Sequence, residues 1–289
     1  MKDLLTVLRE ANEKKVAVGH FNISDLATLK AIFETSRKLN FPVIIGTSEG
    51  EREFIGVSQA VVLVKSLRQD YDFPIFLNAD HTHSLDKVRQ AALAGYDEIL
   101  FDGSKLSFAE NVQQTKKAIE IVKSINPQIL IEGEIGYIGS SSEVVEEIPE
   151  GSQVLTTVEE AKQFVDETGV DILAPAVGNM HGLLQSMVSG EVQKHLNIEL
   201  IEKLKQVTGK FMTLHGGSGT ADDDFKACVK AGMTIVHINT ELRIAWRKGV
   251  EEGLSQNPKE VAPYKILPPA VLEISKVVEQ RLKLFNLTS

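Results

Sequence analysis

Residues 75–104 read IFLNADHTHSLDKVRQAALAGYDEILFDGS. Ile75–His81 is a short apolar run that turns polar at its end. Ser84 then stands where a helix N-cap belongs, and Leu85–Gly95 carries helical spacing and closes on glycine. A second apolar run, Glu98–Ser104, follows at once. Strand, helix and strand joined by short connections predict two parallel strands with a crossover helix between them.

The same unit recurs in both directions. Apolar runs at Val16–Asn22, Val43–Ser48, Ile129–Gly136, Ile172–Gly178, Phe211–Gly217 and Thr234–Thr240 bring the strands to eight. Helical spacing at Asp25–Leu39, Val57–Leu67, Ser107–Ile125, Thr157–Thr168, Ile198–Val207, Ala221–Gly232 and Glu241–Leu254 brings the helices to eight. Ser107 and Thr157 read as further N-caps, and Gly169 and Gly232 as further stops. Eight alternations with nearly continuous apolar strands predict an α/β fold, a closed (β/α)8 or TIM barrel. An open doubly wound sheet is the competitor, and no GxGxxG follows the first strand to support it. No linker divides the chain, so residues 1–289 read as one domain, with 258–289 a C-terminal extension carrying one more helix. That extension would pack across the barrel or a neighbouring subunit.

Composition narrows the function. The 289 residues carry 40 acids against 31 bases, a net charge of −9, which argues against a nucleic-acid binder. No apolar run is long enough to span a membrane. Met1–Glu13 mixes charges and lacks a signal core, so the expected location is the cytoplasm. Cys228 is the only cysteine, which excludes an intrachain disulfide and a cysteine-rich metal site. Any metal must be held by histidine and carboxylate.

Polar residues gather at the C-terminal ends of the predicted strands: Asn78-Ala79-Asp80-His81-Thr82-His83, Glu132-Gly133-Glu134, Gly178-Asn179-Met180-His181-Gly182, His215-Gly216-Gly217-Ser218-Gly219 and His237-Ile238-Asn239-Thr240. A barrel brings these ends to one mouth. Three histidines from three strands would form an open metal site suited to Lewis-acid catalysis. His20 and His237 read equally as core, His195 as surface, and His83 as a polar residue beside the next helix. Glu132 and Glu134 face one side of a buried strand, which is costly unless they serve a cation or a hydrogen-bond network. The glycines after the seventh strand, with a helix start close behind, suit a phosphate. The two long connections, Tyr137–Thr156 and Asn179–Asn197, read as binding loops.

These five motifs, in this order, resemble the class II, metal-dependent ketose-bisphosphate aldolases, the family acting on fructose 1,6-bisphosphate and tagatose 1,6-bisphosphate. The resemblance spans nearly the whole chain. It implies a catalytic Zn2+ on His81, His181 and His215, with Glu134 taking the metal in an alternate position. It implies that Asp80 transfers the C4 hydroxyl proton. Glu143 would move the C3 proton, with Glu146 and Glu147 as fallbacks. The zinc would hold the enediolate left by cleavage to dihydroxyacetone phosphate and glyceraldehyde 3-phosphate. One phosphate would meet Gly182, Gly216, Gly217, Ser218, Asn239 and Thr240, with a monovalent cation (Na+ or K+) on carbonyls near Gly182 and Gly216. Asn22 would lie near the substrate's middle and Ser48 by the second phosphate. The family is also expected to form a homodimer or homotetramer.

The chain departs from that pattern after Gly182. Leu183-Leu184-Gln185-Ser186 lacks a lysine that many members direct at the phosphate, so Lys194 or an arginine is the candidate replacement. Ser140-Ser141-Ser142 also replaces a glycine-rich loop. Other readings are an aldolase for another phosphorylated ketose, a zinc barrel hydrolase, and a non-catalytic sugar-phosphate binder.

Overall fold

The computed structural model describes residues 2–139, 143–145, 154–189 and 191–288. Eight parallel strands close a barrel in sequential order: β1 (Val18–Asn22), β2 (Val43–Thr47), β3 (Ile75–Thr82), β4 (Glu98–Phe101), β5 (Leu130–Ile135), β6 (Ile172–Pro175), β7 (Phe211–Leu214) and β8 (Ile235–Ile238). β1 closes the ring, pairing Val18 with Ile235 of β8 and Gly19 with Val43 of β2. The helices are α1 (Leu4–Lys14), α2 (Leu26–Leu39), α3 (Glu49–Ile55), α4 (Val57–Tyr71), α5 (Leu85–Ala94), α6 (Phe108–Ile125), α7 (Val158–Thr168), α8 (Gln185–Val188), α9 (Ile198–Thr208), α10 (Asp222–Ala231), α11 (Thr240–Gln256), α12 (Pro263–Ile266) and α13 (Pro268–Phe285). Among the described residues no helix is long and apolar enough to cross a membrane.

The local signals read from sequence act as they should. The side chains of Ser84, Ser107 and Thr157 accept the first free N–H groups of α5, α6 and α7, and Glu110 and Glu160 complete capping boxes at the last two. Gly95 and Gly169 end α5 and α7 in the left-handed region.

Four helices go beyond the sequence reading: the one-turn α8 and α12, and α1 and α3. Leu4, Val7, Leu8 and Ala11 lie at helical spacing and form the buried stripe of α1. They pack on Val18, Ile44, Phe76, Leu130, Ile172 and Ile235, so α1 plugs the N-terminal end of the barrel. After β2, a short α3 precedes α4, because Ser48 and Glu51 form a capping box and Gly56 breaks the helix with a φ of 96°.

Except for β3, the paired strands are shorter than the apolar runs. β6 stops at Pro175 and β7 at Leu214, so the histidine-bearing segments beyond them are loops. Positive φ at Gly178, Gly182, Gly216 and Gly219 turns those loops over the barrel mouth. Val144–Val145 pairs with Leu183–Leu184, tying the loop after β5 to the loop after β6.

The C-terminal extension packs on its own barrel. α13 lies against α2 and α11 and buries Ile274, Val278, Leu282 and Phe285. The crossing of α11 and α13 is close enough to need glycine. A methyl group on Gly249 would sit 2.3 Å from Ala270 Cα and 2.5 Å from its nitrogen. Helix propensity favours alanine over glycine by about 1 kcal/mol, but forcing atoms into a packed contact costs about 1–3 kcal/mol. Gly249→Ala is therefore expected to lower the urea midpoint despite the better helix former. An unchanged or higher midpoint would show that the two helices part easily.

Candidate metal and catalytic site

Asp80 and His81 are neighbours on β3, and a regular strand would send them to opposite faces. The strand is not regular there. Ala79 pairs with Ile99 and Thr82 with Phe101, so Asp80 and His81 together face the single residue Leu100. His81 has a φ of 42°, a left-handed conformation for a non-glycine residue. This bulge brings both side chains to the mouth. Buried Arg52 of α3 braces it, donating to the carbonyls of Thr47 at 2.6 Å and Asp80 at 2.8 Å and to Thr82 Oγ1 at 2.8 Å.

Three imidazoles then meet. His81 Nε2 lies 3.2 Å from His181 Nε2, and the two group with a ring nitrogen of His215, all within 4.8 Å of one another. Each ring's other nitrogen already faces an acceptor. His81 Nδ1 donates to Asp102 Oδ2 at 2.8 Å, His181 Nδ1 to the Gly139 carbonyl at 2.8 Å and His215 Nε2 to Glu132 Oε1 at 2.7 Å. These acceptors orient the rings and aim the three remaining nitrogens at one place, where a metal would displace the His81 proton. His215 Nδ1 is buried with no hydrogen-bond partner. A divalent cation fits this donor set: it satisfies the orphaned nitrogen and takes the place of the proton that lies between the facing Nε2 atoms of His81 and His181 in its absence.

Asp80 lies beside the cluster, its Oδ1 3.8 Å from His81 Nε2 and 4.0 Å from His215 Nδ1. Its Oδ2 accepts from Asn22 Nδ2 at 2.9 Å. Burial pushes the Asp80 carboxyl up, but His81, His20, His215 and the Asn22 hydrogen bond outweigh it and hold the group ionised. Glu134 is buried, its Oε2 3.5 Å from His81 Nδ1, and it forms a second potential ligand group with His81 and Asp102. Glu143 is exposed and lines a cavity of about 370 Å³ that also touches Ser48, His81 and His181. Glu146 and Glu147 lie outside the described residues.

Gly182, Gly216, Ser218, Asn239 and Thr240 line one cavity with Asp80, His181 and His215. Gly217 does not join them. Its N–H donates to the His237 carbonyl, and a Cβ there would meet that oxygen at 2.8 Å. Gly217 therefore serves the close approach of the loop to β8 and is not free to donate to a ligand. Lys194 likewise does not reach for a phosphate. Its Nζ is buried among backbone carbonyls, Gly182 and Gly216 among them, where the resemblance expects a monovalent cation.

The ambiguous histidines separate cleanly. His20 and His237 are buried and stacked, ring centroids 3.3 Å apart and tilted by 2°. With Asp80, whose Oδ1 lies 3.6 Å from His237 Nδ1, the pair forms a further potential ligand group deeper in the barrel. His195 is on the surface, as read. His83 stays half exposed, 3.6 Å from Asp102.

Sequence reading missed Asp102, Arg52 and Glu51. Asp102 directly follows β4, in the apolar run Glu98–Ser104, and that fourth strand end was the available signal. Glu51 accepts from Asn22 at 2.8 Å and from Arg243 at 2.7 Å, and so orients the residue that orients Asp80. Arg52 left no signal, because the short helix that carries it was not read from the sequence.

A parallel barrel with an imidazole cluster and a carboxylate at its C-terminal mouth defines a TIM-barrel enzyme. The family model for fructose-bisphosphate aldolase class-II matches residues 2–289. A probable fructose-bisphosphate aldolase of Bacillus subtilis (strain 168) is 33% identical over 97% of this chain and 95% of its own. A fructose-bisphosphate aldolase of Geobacillus stearothermophilus is 32% identical over the same shares. The YdjI aldolase of Escherichia coli K12 superposes with a TM-score of 0.82 over 98% of this chain and 96% of that one, at 24% identity, and so shares the fold. The chain belongs to the class II fructose-bisphosphate aldolase family, whose members are lyases.

Two outcomes follow from this geometry. Asp102→Ala frees the His81 ring, so metal affinity should fall by about 10–100-fold, read by competition against a chelator; unchanged affinity would make Asp102 a bystander. Acid should also destabilise the metal-free protein. Burial pushes His181 and His215 down to about 3 and His20 to about 4, and holds His237 well below the usual imidazole range. Burial also opposes the charge on His81, but Asp80, Asp102 and Glu134 raise it well above that range. Below its ordinary value near 6.5 the unfolded chain binds protons at four imidazoles that the folded chain keeps neutral, while His81 is protonated in both. Each of these imidazoles then costs up to about 1.4 kcal/mol of stability per unit that the pH falls, and the buried carboxyls of Glu98, Glu132 and Glu134, pushed up by burial and so protonated in the folded chain, offset part of that loss. Urea unfolding of chelator-treated protein at pH 6.5 and pH 5 checks it, and equal stabilities would refute it.

Proposed function

We propose that the chain is a zinc-dependent aldolase that cleaves a ketose 1,6-bisphosphate, fructose 1,6-bisphosphate first, into dihydroxyacetone phosphate and glyceraldehyde 3-phosphate. The observation that carries this reading is the convergence of His81 Nε2, His181 Nε2 and His215 Nδ1 beside Asp80. A divalent cation held there supplies Lewis acidity toward the ketose carbonyl and the negative charge left when C3–C4 breaks. Asp80 takes the C4 hydroxyl proton as the bond breaks and returns it to the aldehyde in condensation. Asn22, between Asp80 and Glu51, keeps the carboxylate oriented. Glu143, on the loop tied to the His181 loop, moves the C3 proton of the triose phosphate. Ser218, Asn239 and Thr240, at the start of α11, receive one phosphate, and Ser48 at the start of α3 meets the other.

The test is a coupled assay on fructose 1,6-bisphosphate, before and after chelation and after zinc is restored. Triose phosphate should appear, vanish with chelator and return with zinc. Asp80→Ala should lower kcat by about 10²–10⁴-fold while keeping one zinc per chain. Cleavage that survives metal removal sinks the reading. Cleavage of tagatose 1,6-bisphosphate alone moves the substrate and leaves the chemistry.

A further inference from the structure

Lys194 is an ammonium with no ordinary reason to be where it is. It lies in the long loop after β6 and is buried to 5% exposure. Its Nζ is 2.6 Å from the Met180 carbonyl, 2.6 Å from Gly182, 2.7 Å from Ser218 and 3.1 Å from Gly216. Among the described residues no carboxylate forms an ion pair with it. Two of the carbonyls belong to the loop that carries His181 and two to the loop that carries His215. Four oxygens converging on one point repel each other unless a cation sits between them. A ring of backbone carbonyls replacing a hydration shell is how a weakly hydrated monovalent cation is held. An ammonium is a compact charge with three donors and fits the same cage.

The cage reaches further than its four atoms. Each carbonyl shares a peptide unit with an N–H that holds another element. His181 N–H donates to the Ile138 carbonyl and Leu183 N–H to the Glu143 carbonyl. Gly217 N–H donates to the His237 carbonyl, and Gly219 N–H to Glu241 Oε1 of α11. A charge on the carbonyl side polarises each unit and strengthens the bond on its amide side. The cation thus sits at the hub of the loop after β5, the loop after β6, β8 and α11. Its own backbone is pinned there: Lys194 N–H donates to the Gly219 carbonyl, and Ala221 N–H to the Lys194 carbonyl. The loops also meet as closely as a backbone allows, since a Cβ on Gly216 would lie 2.4 Å from the Met180 oxygen. Burial pushes the Lys194 amine down to about 7, against the pull of the Glu241 carboxylate, which favours its charged form.

We propose that the Lys194 ammonium is this protein's own monovalent cation. It fills the carbonyl cage between the His181 and His215 loops, holds Gly182, Gly216 and Ser218 in the shape that receives a phosphate group, and makes dissolved Na+ or K+ unnecessary. The phosphate clause rests on the aldolase reading, and the cage itself does not. Lys194 is a positioning residue, acting through the loops.

The experiment compares full-length, zinc-loaded wild type with Lys194→Ala and Lys194→Met in tetramethylammonium, potassium and ammonium chloride at equal ionic strength. The readouts are melting temperature, inhibition by inorganic phosphate, and kcat/KM on fructose 1,6-bisphosphate. Wild type should not distinguish the three salts. Lys194→Ala should lose about a hundredfold in kcat/KM in tetramethylammonium. Potassium or ammonium should restore about tenfold or more, weaken no other step, and raise the melting temperature with concentration. Lys194→Met, whose side chain keeps the cage filled, should lose activity without rescue. A folded, zinc-loaded Lys194→Ala indifferent to potassium and ammonium in every readout overturns the proposal, as does a wild type that needs potassium. If neither variant folds, the wild-type salt comparison decides by the same criterion. If wild type cleaves no ketose bisphosphate, the aldolase reading fails while the melting temperatures still judge the cage.

Discussion

The bulge at Asp80 and His81 is the constraint on which the site depends. A carboxylate that moves a proton and an imidazole that holds a metal must reach the same few cubic ångströms. Adjacent residues of a straight strand cannot do this. β3 solves the problem by placing two residues opposite one and by putting His81 in a left-handed conformation. Such strain persists only where the surroundings over-determine it. Here Arg52 does so, because its guanidinium holds the Thr47 and Asp80 carbonyls and the Thr82 hydroxyl from one rigid fork. A lysine could not span three acceptors in that plane.

From the bulge outward, the site is built by giving every imidazole one acceptor and leaving it one free nitrogen. The acceptors come from three different places: the end of β4, the loop after β5 and the interior of β5. Barrel closure is what makes this possible, since no two of these elements are neighbours of the same histidine in sequence. Glu132 and Glu134 show the division of labour on one strand. Glu132 faces the deeper His215 and orients it, while Glu134 faces His81 from the side away from His181.

Much of this was legible in the sequence because it rests on side-chain identity and spacing. Eight apolar runs and the capping residues are local signals that reappear at their expected places, while His181 and His215 fall in loops just beyond the paired strands. α1 went unassigned because its stripe is short and its partners are scattered over six strands. Arg52 and Glu51 were invisible for a different reason: charged residues in a polar stretch with no assigned helix give no hint that they are buried at a mouth. Gly217 shows the converse, a residue in the right motif whose N–H is engaged elsewhere.

Lys194 marks the limit of such reading. A binding site made of carboxylates and imidazoles announces itself in the sequence, whereas one made of carbonyl oxygens does not, because every residue has one. The position of Lys194 suggested a phosphate contact, and the structure turns its side chain away from solvent to the underside of the same loops. The two arrangements differ physically. A lysine on the phosphate competes with water for a doubly charged ligand in a wet mouth. A lysine beneath the loops acts in a dry cage, on four peptide dipoles that are already in place. A dissolved ion would have to find that cage afresh in each molecule and would occupy it according to its concentration. A tethered ammonium is present at a fixed one-to-one ratio, and its ordering cost is met once, when the chain folds. The geometry of the phosphate loops then belongs to the fold itself and no longer to the salt around it.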